Sequence, residues 1–155
     1  MALDESSVPE PAVEEGDGSR IASHLLVRAG QRVCALPIAA VRRIVRALTV
    51  HPLPGASEEL LGLSEFAGEP LPVVSLARLI QAPAGANPVH PVTVVVWVGE
   101  GAQREPLGLA ADAALDVVAL PPGGIVGGDG GLIRGEAPVG DEVVRVLDLT
   151  ALGRP

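Results

Sequence analysis

Asp112 and Asp116, four residues apart, are the nearest this sequence comes to a pair of groups that could exchange a proton. On a helix they would share one face, but general acid and base work also needs a cleft and a raised pKa, which spacing alone does not supply. His51, set in His-Pro-Leu-Pro, has no second metal ligand near it. Cys34 is the single cysteine, and with no basic or histidine side chain beside it to lower its pKa it reads as a small apolar core residue. Pro121 to Gly131 is glycine-rich, yet it lacks a G-x-G-x-x-G pattern and the whole chain lacks the lysine of a phosphate-binding loop. The expectation is therefore no catalytic residue, no metal and no cofactor. A small-ligand-binding or enzymatic β-barrel is the alternative, and it requires two of Asp112, Asp116, His90 and Cys34 to converge in a deep pocket. Arg42, Arg43 and Arg46 lie close together and could face solvent or an acidic partner.

The elements that must position these groups read as short strands. Gly62 to Leu79 joins a glycine, a Gly68-Glu69-Pro70 turn and an alternating apolar run, Val74 and Leu76 on one side and Val73, Ser75 and Ala77 on the other, as in a half-buried hairpin strand. The layout returns with an offset of 73 residues and no gaps: Gly62 maps to Gly135, Val73 to Val146, Leu76 to Leu149 and Leu79 to Leu152. Such a repeat implies two copies of one unit, 31 to 80 and 104 to 153, that bury their faces together. Ile21 to Val27 and Arg32 to Leu36 flank a tight turn at Ala29-Gly30-Gln31. Ala39 to Arg46 fits a helical turn or an extended edge, and Ala56 to Leu61 a short helical turn. Gln81 to Pro91, with four prolines or glycines, is the expected linker between copies. Val92 to Val98 is a β-branched strand ending beside Trp97, and further strands follow at Pro106 to Leu109, Leu132 to Gly135 and Val143 to Leu149. Many short strands between Gly and Pro turns predict an all-β chain, as two small barrels or one sandwich.

Composition narrows the function. A chain of 155 residues fits one domain or two small subdomains sharing a core. One cysteine excludes a disulfide framework, and the polar, acidic start has no signal-peptide pattern, so a cytoplasmic location is expected. Val92 to Val98 is the longest apolar run, far short of the roughly 20 residues that cross a bilayer, so no membrane insertion is expected. Net charge is −8, to which residues 1 to 20 contribute six acids against Arg20 alone. That segment is polar and Gly/Pro-punctuated and is expected to be a disordered acidic tail before a domain at 21–155. An acidic chain with one Trp, one Phe and no Tyr argues against nucleic-acid binding, for want of both a basic surface and stacking platforms.

Several pieces, in order, resemble the CheW-like adaptor family of bacterial chemosensory signalling over roughly residues 22 to 152. Cys34-Ala-Leu-Pro-Ile38-Ala-Ala-Val41-Arg-Arg43-Ile resembles the family's aromatic-Ala-Leu-Pro-Ile-x-x-Val-x-Glu-Ile. Gly62 to Leu76 resembles Gly-x-x-Asn-x-Arg-Gly-x-x-x-Pro-Val-x-Asp-Leu, with Glu65 and Ala67 at the asparagine and arginine and Gly68 conforming. Pro106 to Val118 resembles the family's Gly-Leu-x-x-Asp-x-Val-x-Asp-Val through Asp112 and Asp116, and Leu132 to Gly135 and Val146 to Leu152 resemble its closing turn and strand. The resemblance implies two intertwined five-stranded SH3-like barrels with short helical turns. It implies a non-catalytic, cytoplasmic adaptor, with no cofactor, that couples the cytoplasmic tip of a methyl-accepting chemoreceptor to the regulatory domain of a CheA-like histidine kinase. Receptors would sit in the groove between barrels and the kinase at barrel ends. The partner-binding candidates carried over are Ile38, Val41, Arg43, Gly62, Glu65, Ala67, Gly68 and Asp112. Arg43 reverses the family's glutamate, Glu65 and Ala67 replace an amide and a cation, and the 121 to 131 loop is short, so altered partner choice with one interface lost is the expectation.

Overall fold

Strands reverse where glycine supplies a backbone that side chains avoid. The structure, a computed structural model, describes residues 22–83, 91–99, 101–128 and 130–152, so the acidic tail, most of the expected linker and His90 lie outside the described residues. β1 (Ala22–Ala29) and β2 (Arg32–Pro37) meet at a two-residue turn opened by Gly30 at φ 62°, and a 3-10 turn (Ile38–Ala40) leads to β3 (Val41–Arg46). β4 (Leu60–Phe66) and β5 (Glu69–Ser75) are joined through Ala67 and Gly68, both at positive φ, before one helical turn, α1 (Leu76–Leu79). β6 (Val92–Val98), β7 (Glu105–Ala111) and β8 (Ala113–Leu120) follow, then β9 (Ile133–Val139) and β10 (Glu142–Leu147), again joined by a turn opening on a glycine, Gly140 at φ 58°.

The ten strands make two five-stranded sheets, ordered β8-β1-β2-β10-β9 and β3-β6-β7-β5-β4. The all-β reading and the two five-stranded units hold; the backbone ladder of neither sheet closes on itself. Each sheet takes its first hairpin from one copy of the repeat and its last three strands from the other. Two parallel pairings stitch the copies together, β2 to β10 with Ala35 opposite Val146, and β5 to β7 with Val73 opposite Gly108. These are the same pairing with the copies exchanged. β4 and β9 likewise occupy corresponding positions, 60–66 and 133–139.

Three apolar clusters follow from this exchange. Leu25, Val27, Cys34 and Leu36 from the first sheet and Val92, Val94, Val96 and Leu109 from the second pack into one core between the sheets, with Leu76 and Leu149. The alternate residues fill smaller cores inside each sheet: Leu26, Ala35, Val144 and Val146 in the first, Leu71, Val73, Val95 and Ala110 in the second. β6 is therefore covered on both faces, which is why Val92 to Val98 is continuously apolar rather than alternating.

Three local expectations are corrected. Residues 56 to 61 form no helical turn, because Leu60 already pairs with Val74 in β4. The strand expected through Leu79 ends at Ser75, whose Oγ accepts a hydrogen bond from the Arg78 amide at 3.3 Å and caps α1. That strand is covered on both sides, since Val73 lies in the second sheet's own cluster and Val74 packs on the central core.

Candidate functional site

Asp112 and Asp116 lie on no helix. Asp112 sits at the corner between β7 and β8, where its carboxylate accepts from the Gly30 amide at 3.1 Å and its own amide donates to the Arg28 carbonyl at 2.9 Å. It pins the β1–β2 turn to the place where the chain passes from the second sheet to the first. Asp116 is exposed on β8 and its Oδ1 accepts from the Val117 amide at 2.8 Å. Cys34 is fully buried in the central core, and burial pushes its thiol up to about 12. Two open grooves are present, one of about 650 Å³ between β3 and β4 and one of about 510 Å³ beside α1 and β9, and neither is lined by Asp112, Asp116 or Cys34. Among the described residues, Asp112, Asp116 and Cys34 do not converge on either groove. His51 is used through its backbone, exchanging hydrogen bonds with Leu63 at 2.8 and 2.9 Å.

The partner-binding candidates fall into two groups. Ile38 and Val41 are half-buried against the central core, where the chain crosses from the first sheet to the second, and Asp112 marks the reciprocal crossing. Arg43, Glu65, Ala67 and Gly68 are exposed on the second sheet, on β3 and at the β4–β5 hairpin end. Gly62 belongs to neither group. It is buried at φ 152°, and a Cβ there would fall 2.2 Å from the His51 carbonyl oxygen. Its repeat partner Gly135 carries the equivalent crossing, with a Cβ 2.9 Å from the Val126 oxygen. Both glycines let an extended segment cross a strand, so neither offers a side chain to a partner.

One cluster escaped the reading of the sequence. The Arg42 guanidinium lies 5.2 Å from the Phe66 ring centroid and 4.3 Å from that of Trp97, and Arg104 lies 4.4 Å from Trp97. Phe66 and Trp97 are the chain's entire aromatic content. Arg42 thereby bridges β3 and β4, the two edge strands of the second sheet, by side chain where no backbone ladder joins them. Only the scarcity of aromatics signalled it, because positions 42, 66, 97 and 104 are too far apart in sequence to be paired by inspection.

Comparison with known proteins adds the following. A family model described as CheW-like domain matches residues 23–154. Among curated protein sequences nothing matches. Among solved structures, the scaffolding protein TtCheW from Thermoanaerobacter tengcongensis is similar in fold, with a TM-score of 0.71 at 17% identity over 83% of this chain and 89% of that one.

Proposed function

We propose, on the premise that this chain belongs to the CheW-like domain family, that it is a non-catalytic cytoplasmic adaptor coupling a chemoreceptor cytoplasmic tip to a CheA-like histidine kinase. The observation that carries the reading is the family match across 23–154, nearly the whole described chain. The domain organisation proposed with it is an acidic segment at 1–20 followed by one CheW-like domain at 21–155, built from two copies offset by 73 residues with the linker near 81–91. No helix among the described residues is long and apolar enough to cross a membrane.

The receptor-binding part of the proposal rests on Ile38, Val41 and Asp112 at the crossings between sheets, and the kinase-binding part on Arg43, Glu65, Ala67 and Gly68 on the second sheet. Gly62 enters as the support of that hairpin. Cation for anion at Arg43 inverts the local charge and anion for amide at Glu65 adds one, so a cationic group matched to the family's glutamate meets like charge at Arg43. The test is a paired titration of the full chain against a receptor tip and a kinase regulatory domain from the same genome. Binding to at least one, weakened when Arg43 is changed to Glu or Val41 to Asp, is the expected result. Binding to neither would overturn the adaptor reading.

A further inference from the structure

Four arginines converge on the second sheet, and the adaptor reading uses only Arg43. Arg42, Arg43 and Arg46 are all exposed along β3, and Arg104 approaches Trp97 from the β6–β7 connection. The ion pairs among the described residues, Arg28 with Glu142 and Arg145 with Glu136, both belong to the first sheet. Glu65, Glu69 and Glu105 are carried by the same sheet as the four arginines, none within 4.0 Å of their guanidiniums. Stacking on Phe66 and Trp97 engages the flat faces of Arg42 and Arg104 and leaves their in-plane N–H groups free to donate to carboxylates. Held against these rings, Arg42 on two and Arg104 on one, the guanidiniums lose less freedom on binding an anion than a solvated arginine would. Carboxylates in a flexible strand, spaced along its length, are the chemistry that arginines lining this edge strand fit.

We propose that the arginine-bearing edge strand β3, with Arg43 on one side of it and Arg46 on the other, is a docking surface for an acidic peptide, and that its occupant is the chain's own acidic segment, residues 4 to 17. That segment carries Asp4, Glu5, Glu10, Glu14, Glu15 and Asp17 with no cation among them. It enters the fold at Ala22 in β1, whose His24 lies opposite Pro37, and from Pro37 the chain runs through Ile38–Ala40 into Val41 and Arg42. Asp17 lies five chain steps before Ala22, a reach of up to about 17 Å when extended, and the more distant acids reach further. Tethering supplies the segment at an effective concentration on the order of millimolar, enough for a weak polyelectrolyte contact to be populated. Salt at about 0.5 M screens such a contact and releases the segment.

The test uses the full chain carrying Ser7→Cys with a nitroxide label, to which Cys34 is inert because it is buried. At about 20 mM salt the Val41–Arg46 amides broaden preferentially, and at about 0.5 M salt the broadening disappears. In the background D4N/E5Q/E10Q/E14Q/E15Q/D17N, or R43Q/R46Q, the broadening is lost at low salt while the amide spectrum stays folded. Fluorescence of Trp97, the single tryptophan, reports independently through a salt-dependent change present in the native chain and absent from the neutralised one. Broadening spread evenly over the surface, or unchanged by neutralising the acids, would overturn the proposal. Broadening that grows with protein concentration would place the segment on a second copy and overturn its docking in cis.

Discussion

Two buried polar side chains decide how this protein responds to chemistry and to pH. Cys34 is fully enclosed between the sheets, with a thiol pushed up to about 12 by burial, so at neutral pH it is neither ionised nor reachable. Alkylation of the native chain is therefore expected to proceed only through unfolding, and adding denaturant should speed it by orders of magnitude; rapid labelling of folded protein would contradict the placement. Its neighbours in sequence sufficed to read it as core. His24 was not legible, because nothing around it predicts that a β1 residue opposite Pro37 and Val118 is only 1% exposed. Its Nδ1 meets the Ala22 carbonyl at 3.1 Å and its Nε2 has no partner. Burial, with a smaller contribution from Arg134, lowers its pKa from the ordinary 6.5 despite the opposing hydrogen bond. The folded state then binds fewer protons than the unfolded one between those two pKa values. Stability is thus complete above about pH 6.5 and falls as pH drops toward the folded value. The melting temperature is expected to decline on acidification through that window, and His24→Leu to flatten the decline; an identical pH profile in the variant would exclude His24 as its source.

At the scale of elements, the repeated glycine is explained by the crossing it permits. Gly62 and Gly135 align at the 73-residue offset because in each copy an extended segment, at His51 or at Val126, bridges the residue that follows the glycine, Leu63 or Glu136. Gly62→Ala drives a methyl group far deeper into backbone and also requires a residue other than glycine at φ 152°, whereas Gly135→Ala meets the Ile125 side chain at 2.7 Å and the Val126 backbone oxygen at 2.9 Å and strains no torsion. The first substitution is expected to cost about 2–4 kcal/mol and the second clearly less, as measured by urea denaturation midpoints. Equal costs would mean the torsion at 62 is unimportant. The hairpin ends were legible for the same reason, since Gly30, Gly68 and Gly140 mark backbone that other residues resist. The stretch 56 to 61 misled, because its acidic, helix-forming residues carry no sign that Leu60 and Gly62 are held by β5. Asp112 and Asp116 misled similarly. A four-residue spacing suggests a helix face, but the pairing of β8 with β1, with its bulge near Leu26, made it a strand.

Across the whole molecule, the repeat was visible but its consequence was not. Local hydrophobic patterns specify which residues are strands and hairpins, whereas the pairings that join the copies, such as Ala22 with Leu120 and Cys34 with Arg145, link residues far apart in sequence that no local pattern encodes. Here the two copies do not fold side by side. β1 and β2 rely on β8, β9 and β10, and β6 and β7 rely on β3, β4 and β5. A half comprising residues 1 to 83 would hold β1–β2 and β3, β4, β5 without β6 and β7, so β3 would lose its one sheet neighbour and β5 would keep only β4. The central core would also be cut in two, since Leu25, Val27 and Leu36 face Val94, Val96 and Leu109 from the other half. Each half separately is therefore expected to lack dispersed amide resonances and a cooperative melting transition, although each contains five strands and a full copy of the repeat. Mixing the two restores both only if the halves find each other's hairpins, so recovery should follow second-order kinetics. A half that folds cooperatively alone would show that the copies are independent barrels and that the parallel pairings of Ala35 with Val146 and Val73 with Gly108 contribute little.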